Sequence, residues 1–186
     1  VIVTKGPGIT NLASGIASAH LDRRPIIVFS AIIDPELLSK NPHQEVPLVA
    51  FGGLITKLSE EITSANVTTL LDRAYNVAID PRPGAVYLPI SPVQAIAEID
   101  IDDSEIDGII TSTNKSRTID KKSLDKANDL ITASKKPIVV AGVGSVASKI
   151  SDELLSFIHK INAPASVTLQ AVGNIPCNDA LYLGMY

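Results

Sequence analysis

Short apolar runs, each bounded by turn residues, alternate with amphipathic helical patterns along most of this chain. The clearest runs are RPIIVFSAI (24–32), GAVYLPI (84–90) and KKPIVVAG (135–142). Continuous apolar runs of this length are typical of strands in parallel sheets, which are buried on both faces. Because parallel strands need long crossover connections, the helical patterns between the runs are expected to join one strand to the next.

The composition supports a layered α/β protein with an aliphatic core. Of the 186 residues, 45% are hydrophobic but only 4% are aromatic, and Trp is absent. The net charge of -4 gives no indication of a nucleic-acid or membrane partner. The single cysteine, Cys177, cannot form an internal disulfide and suits a reducing compartment. We therefore expect a cytoplasmic protein that binds neither nucleic acid nor membranes.

The order of the elements predicts two parallel-sheet, Rossmann-like (doubly wound) α/β units, each of them incomplete. The first is predicted over residues 1–95 with about four strands, and the second over 120–186 with two. A polar, Ser- and Thr-rich linker is predicted between them over 96–119.

Two helical patterns are clear enough to predict in detail. The helix over 64–80 is expected to begin at Ser64 as its N-cap. The helix over 148–163 is expected to turn an apolar face inward. The residues of that face are Ile150, Leu154, Phe157, Ile158 and Ile161.

A glycine-rich turn, Gly6-Pro7-Gly8, lies between the first strand and a helical pattern over 8–22. Glycines allow unusual φ values and a close approach of a ligand to the backbone. The helix that follows offers free N–H groups and the positive end of its dipole. The turn is therefore a candidate binding site, and the alternative is a tight connection with Thr10 or Asn11 as the helix cap.

A second glycine turn, Gly142-Val143-Gly144-Ser145, follows the apolar run of the second unit. It is similar to half of a dinucleotide-binding fingerprint, with Ala147 in place of the third glycine. The alternative is a strand-to-helix turn that packs tightly and binds nothing.

The loop NPHQEV (41–46) places His43, Gln44 and Glu45 together between prolines. Loops that follow parallel strands are where ligands bind in such sheets, whereas a solvated loop is the alternative. No spacing of residues indicates a metal site.

Taken together, these segments resemble the thiamine-diphosphate enzymes of the acetolactate synthase and pyruvate decarboxylase superfamily. The segment 6–31 is similar to that family's G-P-G-A-T-N pattern and to the helix and strand after it. HQEV (43–46) is similar to its F-Q-E loop, with His43 in place of Phe. Further segments resemble, in the same order, the rest of the pyrimidine-binding domain and the opening of the central domain: 70–91, 135–145 and 161–186.

The resemblance implies roles for particular residues. The turn Gly6-Pro7-Gly8 would lie against the aminopyrimidine of thiamine diphosphate, and Asn11 would support the turn or the cofactor pocket. Gln44 would reach toward the substrate. Gly142 and Gly144 match the place where some members bind the phosphates of FAD or ADP.

The resemblance also implies an activity, namely decarboxylation of 2-oxo acids with carboligation, dependent on thiamine diphosphate and Mg²⁺. The family's activating Glu and its G-D-G…N motif for diphosphate and Mg²⁺ have no match in these residues. We therefore expect a fragment, inactive alone, of a longer homodimer or homotetramer whose site lies between subunits. The alternatives are a non-catalytic nucleotide-binding module that uses Gly142 and Gly144, and an inactive structural fragment.

Overall fold

The computed structural model describes residues 1–40, 42–80, 82–100 and 119–186. Contacts divide the chain into two compact units, Val1–Lys115 and Ser116–Tyr186. Most of the predicted linker, 96–119, lies outside the described residues. The proposed domain limits of 1–95 and 120–186 therefore stay predictions.

The first unit begins with a strand, a helix and a second strand, as the sequence predicted. These are β1 (Ile2–Val3), α1 (Pro7–Leu21) and β2 (Ile26–Ala31). The later elements are a 3-10 helix (Pro35–Lys40), α2 (Leu48–Gly53), β3 (Leu58–Ser59), α3 (Val67–Ile79), β4 (Ala85–Ile90) and α4 (Pro92–Ala95).

The four strands form a parallel sheet in the order β1-β2-β4-β3. The crossovers from β1 to β2 and from β3 to β4 run in opposite directions, so right-handed connections place their helices on opposite faces. One face buries Ile9 and Ile16 of α1, and the other buries Leu70 and Ala74 of α3. The prediction of a doubly wound α/β unit is confirmed here.

The central strand β4 is the most deeply buried element of this sheet. The four residues from Ala85 to Leu88 are 0% exposed, as a continuous apolar run in a parallel sheet requires. In β2, by contrast, only Val28 and Ser30 are buried. The predicted strand is present, but its predicted full burial is wrong, since β1 pairs with it at Phe29 and Ser30 alone.

The predicted N-cap at Ser64 is also wrong, because α3 begins later, after Asn66. The Asn66 side chain makes no cap hydrogen bond. It accepts from the Thr63 N–H at 2.8 Å and donates to the Glu61 carbonyl at 3.0 Å. These two bonds fix the chain between β3 and α3.

The second unit contains a three-stranded parallel sheet in the order β5-β6-β7. Its elements are α5 (Lys121–Ala133), β5 (Val139–Ala141), α6 (Val143–Ala147), α7 (Ser151–Lys160), β6 (Ala165–Val167), a 3-10 helix (Leu169–Ala171) and β7 (Tyr182–Met185). The sequence predicted two strands here, so β7 is a correction. β7 is only four residues long and contains Gly184, a residue that is depleted in strands, so the sequence carries no clear strand pattern there.

The core of the second unit is small. Ile158 of α7 is 0% exposed and packs with Ala165, Val167 and Ile175. Phe157, predicted to point inward, is 38% exposed, because the adjacent Ile158 occupies the sheet-facing position. No helix within the described residues combines the length and the apolar character needed to cross a bilayer.

A side-chain hydrogen bond ties α7 to the segment before β7. His159 Nε2 lies 2.8 Å from Asp179 Oδ2, and Asp179 Oδ1 accepts from the Leu181 N–H at 2.9 Å. The Leu181 N–H and the His159 side chain lower the pKa of the Asp179 carboxyl.

We expect this contact to make the second unit sensitive to acid. A lowered pKa means that folding favours the ionised carboxylate, so its stabilisation is present above the ordinary value of 3.8 and is lost as the pH falls through the folded value. Asp179→Asn should lower the melting temperature at neutral pH and flatten its decline in acid. Thermal unfolding across acid pH tests this, with exposed Asp125→Asn as the control; equal profiles for the two variants would contradict it.

Candidate functional site

The strand order of the first unit predicts a crevice at the carboxyl edge of its sheet. The crossover from β1 to β2 and the crossover from β3 to β4 run in opposite directions, so the topological switch point lies between β2 and β4. Ligands of open α/β sheets bind at such a point, outside the carboxyl ends of the strands. A cavity of about 550 Å³ lies at this edge. Small-molecule sites typically measure roughly 300–1,000 Å³, so the cavity has room for a ring-sized ligand.

Most of the cavity wall is aliphatic. Ile32 and Ile33 follow β2, and the segment that leads into α2 closes another side. The polar side chains of the wall are Lys5, Gln44, Glu45 and Glu61. An apolar wall with a few polar groups suits a ligand with an apolar body and a small number of polar atoms.

Gly6 lies directly against Gln44, which brings together two of the residues predicted for the site. Gly6 is buried, caps α1, and has φ 56°, a conformation that favours glycine. A Cβ on Gly6 would lie 2.9 Å from both the Cβ and the carbonyl oxygen of Gln44. The glycine is therefore required by the chain's own packing and by its backbone conformation.

Gln44 itself has a left-handed backbone, with φ 66°. Such a conformation is uncommon for a residue other than Gly and persists where its surroundings hold it. The next element, α2, provides that support: Leu48 is 4% exposed. Ser59 Oγ donates to the Val49 carbonyl at 2.6 Å, and Thr56 Oγ1 donates to the Gly52 carbonyl at 2.8 Å.

The ring of Tyr87 supports α2 from below. Tyr87 is 0% exposed, and its hydroxyl lies 2.6 Å from Ser30 Oγ. A Cβ on Gly52 would lie 2.2 Å from the ring's Cδ1 atom. Burial raises the pKa of Tyr87, so the phenol stays neutral. No sequence motif predicts this pair, although a glycine inside the helical pattern could have indicated it.

Neither Gly6 nor the other residues of the first glycine turn line the cavity, and the turn leads directly into α1. Pro7 is the first helical residue, where its missing N–H costs nothing. A Cβ on Gly8 would lie 2.7 Å from Thr4 Cγ2. Thr10 Oγ1 donates back to the Pro7 carbonyl at 3.2 Å, and Asn11 is exposed. The alternative of a Thr10 or Asn11 cap is wrong, because Gly6 occupies that position.

Lys5 and Glu61 also line the cavity, although no motif in the sequence predicts a role for them. Glu61 also lines an adjoining cavity of about 370 Å³ together with Asp34. Burial, and secondly repulsion from Asp34, raise the pKa of the Glu61 carboxyl. Their positions in the sequence could have indicated a role at the site, because Lys5 and Glu61 each come two residues after the carboxyl end of a strand. His43 is exposed and does not line the cavity.

The second glycine turn is held by a separate network in the second unit. Ser145 Oγ donates to the Gly142 carbonyl at 2.7 Å and accepts from Asn174 Nδ2 at 2.6 Å. A Cβ on Gly144 would meet no atom within 4 Å, and one on Gly142 would meet only Thr168, at 3.9 Å. Crowding therefore does not explain either glycine.

Within the described residues, no group of three or more His, Cys, Asp or Glu side chains could hold a metal ion. Cys177 is free and exposed.

Two family models match this chain. The model described as "Thiamine pyrophosphate enzyme, N-terminal TPP binding domain" matches residues 1–51. The model described as "Thiamine pyrophosphate enzyme, central domain" matches residues 124–186. Together the two matches take in more than half of the chain.

Curated proteins with similar sequences are acetolactate synthases. The large subunit from Lactococcus lactis is 32% identical over 187 residues, covering 100% of this chain and 32% of that protein. The chloroplastic enzyme of Arabidopsis thaliana is 31% identical over 189 residues, covering 99% of this chain and 28% of that protein. The chain thus spans about a third of the length of these relatives.

Solved structures share the fold at low sequence identity. A thiamine diphosphate-dependent 4-hydroxybenzoylformate decarboxylase from Rhodococcus jostii matches with a TM-score of 0.87 and 15% identity, covering 100% of this chain and 35% of that chain. A structure from Mycobacterium smegmatis, described as a thiamin diphosphate-dependent enzyme, matches with a TM-score of 0.80 and 21% identity, with the same coverage. At these identities the likeness concerns the fold, and it agrees with the predicted α/β class.

We expect Gly6→Ala to destabilise the first unit by about 1–3 kcal/mol. The added methyl group would meet Gln44, and the backbone would hold an unfavourable φ for Ala. Gly15→Ala is the matched control, since it lies inside α1 with its nearest contact at 3.6 Å and should stabilise by roughly 0.5–1 kcal/mol. Urea unfolding measures both, and similar losses for the two variants would overturn the explanation.

We also expect Glu61→Gln to stabilise the protein at neutral pH. A raised pKa means that folding disfavours the ionised carboxylate. The stability that protonated Glu61 contributes is therefore fully present below the ordinary pKa of 4.5 and is lost as the pH rises through the pKa of the folded state. The variant's advantage should disappear in acid. Thermal unfolding against pH tests this, with Glu60→Gln as the neighbouring control, because Glu60 pairs with Arg73 on the surface. A gain from Glu60→Gln and none from Glu61→Gln would refute it.

Proposed function

Because the chain belongs to the thiamine pyrophosphate enzyme family, as its sequence resemblance predicted, we propose that it is part of an enzyme acting on 2-oxo acids. The proposed reaction is decarboxylation followed by carboligation, as the name of the acetolactate synthase relatives suggests. The observation that carries the proposal is the contact of Gly6 with Gln44, a residue that lines the aliphatic cavity.

The residues of the cavity fit the aminopyrimidine half of thiamine diphosphate. A flat heteroaromatic ring can pack against the aliphatic wall around Ile32 and Ile33, while its amino group and ring nitrogens need a few polar partners. Gly6 packs against the backbone of Gln44 and so helps to position this residue in the cavity wall. When bound, thiamine diphosphate supplies the carbanion stabilisation that loss of CO₂ from a 2-oxo acid requires.

The protein's own contribution is to bind, orient and exclude water. The Gln44 carboxamide can donate to a carboxylate or carbonyl oxygen and accept from a hydroxyl. The aliphatic wall removes water from the substrate, which strengthens each polar contact inside the cavity. Burial raises the pKa of the Glu61 carboxyl, so this group holds its proton to higher pH than an exposed carboxyl does.

Several further features of the whole protein belong to the same proposal. Mg²⁺ and the diphosphate would be bound by parts of the natural protein other than these residues. The protein would be a cytoplasmic homodimer or homotetramer with its site between subunits. Leu38 and Val49, which line the cavity, are 43% and 37% exposed, and a second subunit covering them would remove apolar surface from water.

For the second unit, we propose that the turn with Gly142 and Gly144 binds FAD or ADP. The open space beside Gly144 supports it, because a phosphate could approach the backbone there. The absorbance spectrum of the purified natural protein tests for flavin, and extraction followed by chromatography tests for ADP.

Gln44→Ala should test the function directly. In the natural protein with thiamine diphosphate and Mg²⁺, we expect kcat/KM for 2-oxo acid consumption to fall about tenfold or more, as for the loss of a hydrogen bond to a charged group. The melting temperature should change little, because Gln and Ala both carry a Cβ and the positive φ of this position disfavours them alike. His43→Ala is the control, because it alters the adjacent exposed residue and should leave kcat/KM unchanged. Equal effects of the two variants, or no consumption of 2-oxo acids by the unaltered protein, would overturn the proposal.

A further inference from the structure

Lys5 is a half-buried cation in the wall of the cavity. Neither the Arg73–Glu60 nor the His159–Asp179 ion pair involves Lys5. The carboxylates of Glu45 and Glu61 line the same cavity but lie beyond ion-pair distance of the Lys5 ammonium. No described hydrogen-bond acceptor contacts that ammonium either.

A second lysine of the same unit, by contrast, has a hydrogen-bond partner within the protein. Lys57 is similarly half-buried, and its Nζ donates to the backbone carbonyl of Val77. The Lys5 ammonium has no such partner among the described residues, so its three N–H donors stay available to a ligand that enters the cavity. The position of Lys5 therefore favours an anionic group in the cavity that completes its surroundings.

The anionic group is not the carboxylate that leaves as CO₂. A cation paired with that carboxylate stabilises the ground state more than the transition state, in which the negative charge has moved away from the carboxylate oxygens. Such a pair would slow the decarboxylation. A lysine in this cavity serves the reaction better by binding an anion that stays anionic throughout.

We propose that Lys5 binds a carboxylate that the substrate retains through the reaction. This inference rests on the proposed function and adds a specificity-determining residue to it. The retained carboxylate has two possible sources, a second carboxylate on the 2-oxo acid donor or the carboxylate of the acceptor in carboligation.

Binding of an unreactive dicarboxylate tests the role of Lys5 without any need for turnover. Succinate has no 2-oxo group, so its dissociation constant can be measured by calorimetry on the natural protein. Lys5→Met should raise that constant by about tenfold to a hundredfold, the loss expected for a hydrogen bond to a charged group. Lys5→Arg should retain most of the affinity. Arg24→Met removes an exposed cation at the opposite edge of the sheet and should have no effect.

Equal succinate affinity in the unaltered protein and Lys5→Met would overturn the inference, and so would a failure of both to bind. A fall in affinity for Arg24→Met as large as that for Lys5→Met would also overturn it, since that would reflect net charge alone. A protein that binds succinate through Lys5 but consumes no 2-oxo acid would refute the proposed function and leave the anion site standing.

Two kinetic measurements identify the source of the carboxylate. If it lies on the donor, Lys5→Met should raise KM about tenfold more for 2-oxoglutarate than for pyruvate. If it lies on the acceptor, Lys5→Met should raise the acceptor KM of carboligation with a much smaller change in CO₂ release. An equal change in every KM and rate would contradict both assignments.

Discussion

The position of the cavity wall in the first unit depends on how the ring of Tyr87 packs against α2. At the point of contact α2 has a glycine, Gly52, and therefore no side chain. Tyr87 occupies the sheet face below α2, and Gly52 leaves room for its ring. The phenol has its hydrogen-bond partner in Ser30, so the polar atom does not oppose burial. A larger residue at position 52 would lift α2 away from the sheet and carry the Gln44 loop with it.

The parallel sheet beneath the cavity explains why polar residues from distant parts of the sequence meet in one wall. Because parallel strands end at one edge, Lys5, Ile32 and Glu61 come from distant parts of the sequence and line a single wall. Each is carried on a rigid strand end, whereas Gln44 approaches from a loop that is braced by α2. An aliphatic interior with polar groups at its margin binds a ring and excludes water at the same time.

The sequence predicted the features that depend on local pattern and missed those that depend on close packing between distant residues. Apolar runs located β2 and β4, and the glycine turn located the start of α1. The contact of Gly6 with Gln44 joins residues far apart in sequence, so no local pattern could indicate it. Lys5 and Glu61 were missed because a single charged residue after a strand is ordinarily a solvated one. The Ser64 prediction failed because Asn66 bonds to preceding backbone atoms instead of capping α3.

The fit between Gly6 and Gln44 also has an evolutionary consequence. Both residues have positive φ, and a methyl group on Gly6 would clash with the carbonyl oxygen of Gln44. A descendant of this protein could therefore replace the glycine only after its loop had adopted another path. The two positions should covary among its relatives, and recombination between diverged versions of the turn and the loop should yield chimaeras that are less fit than either parent.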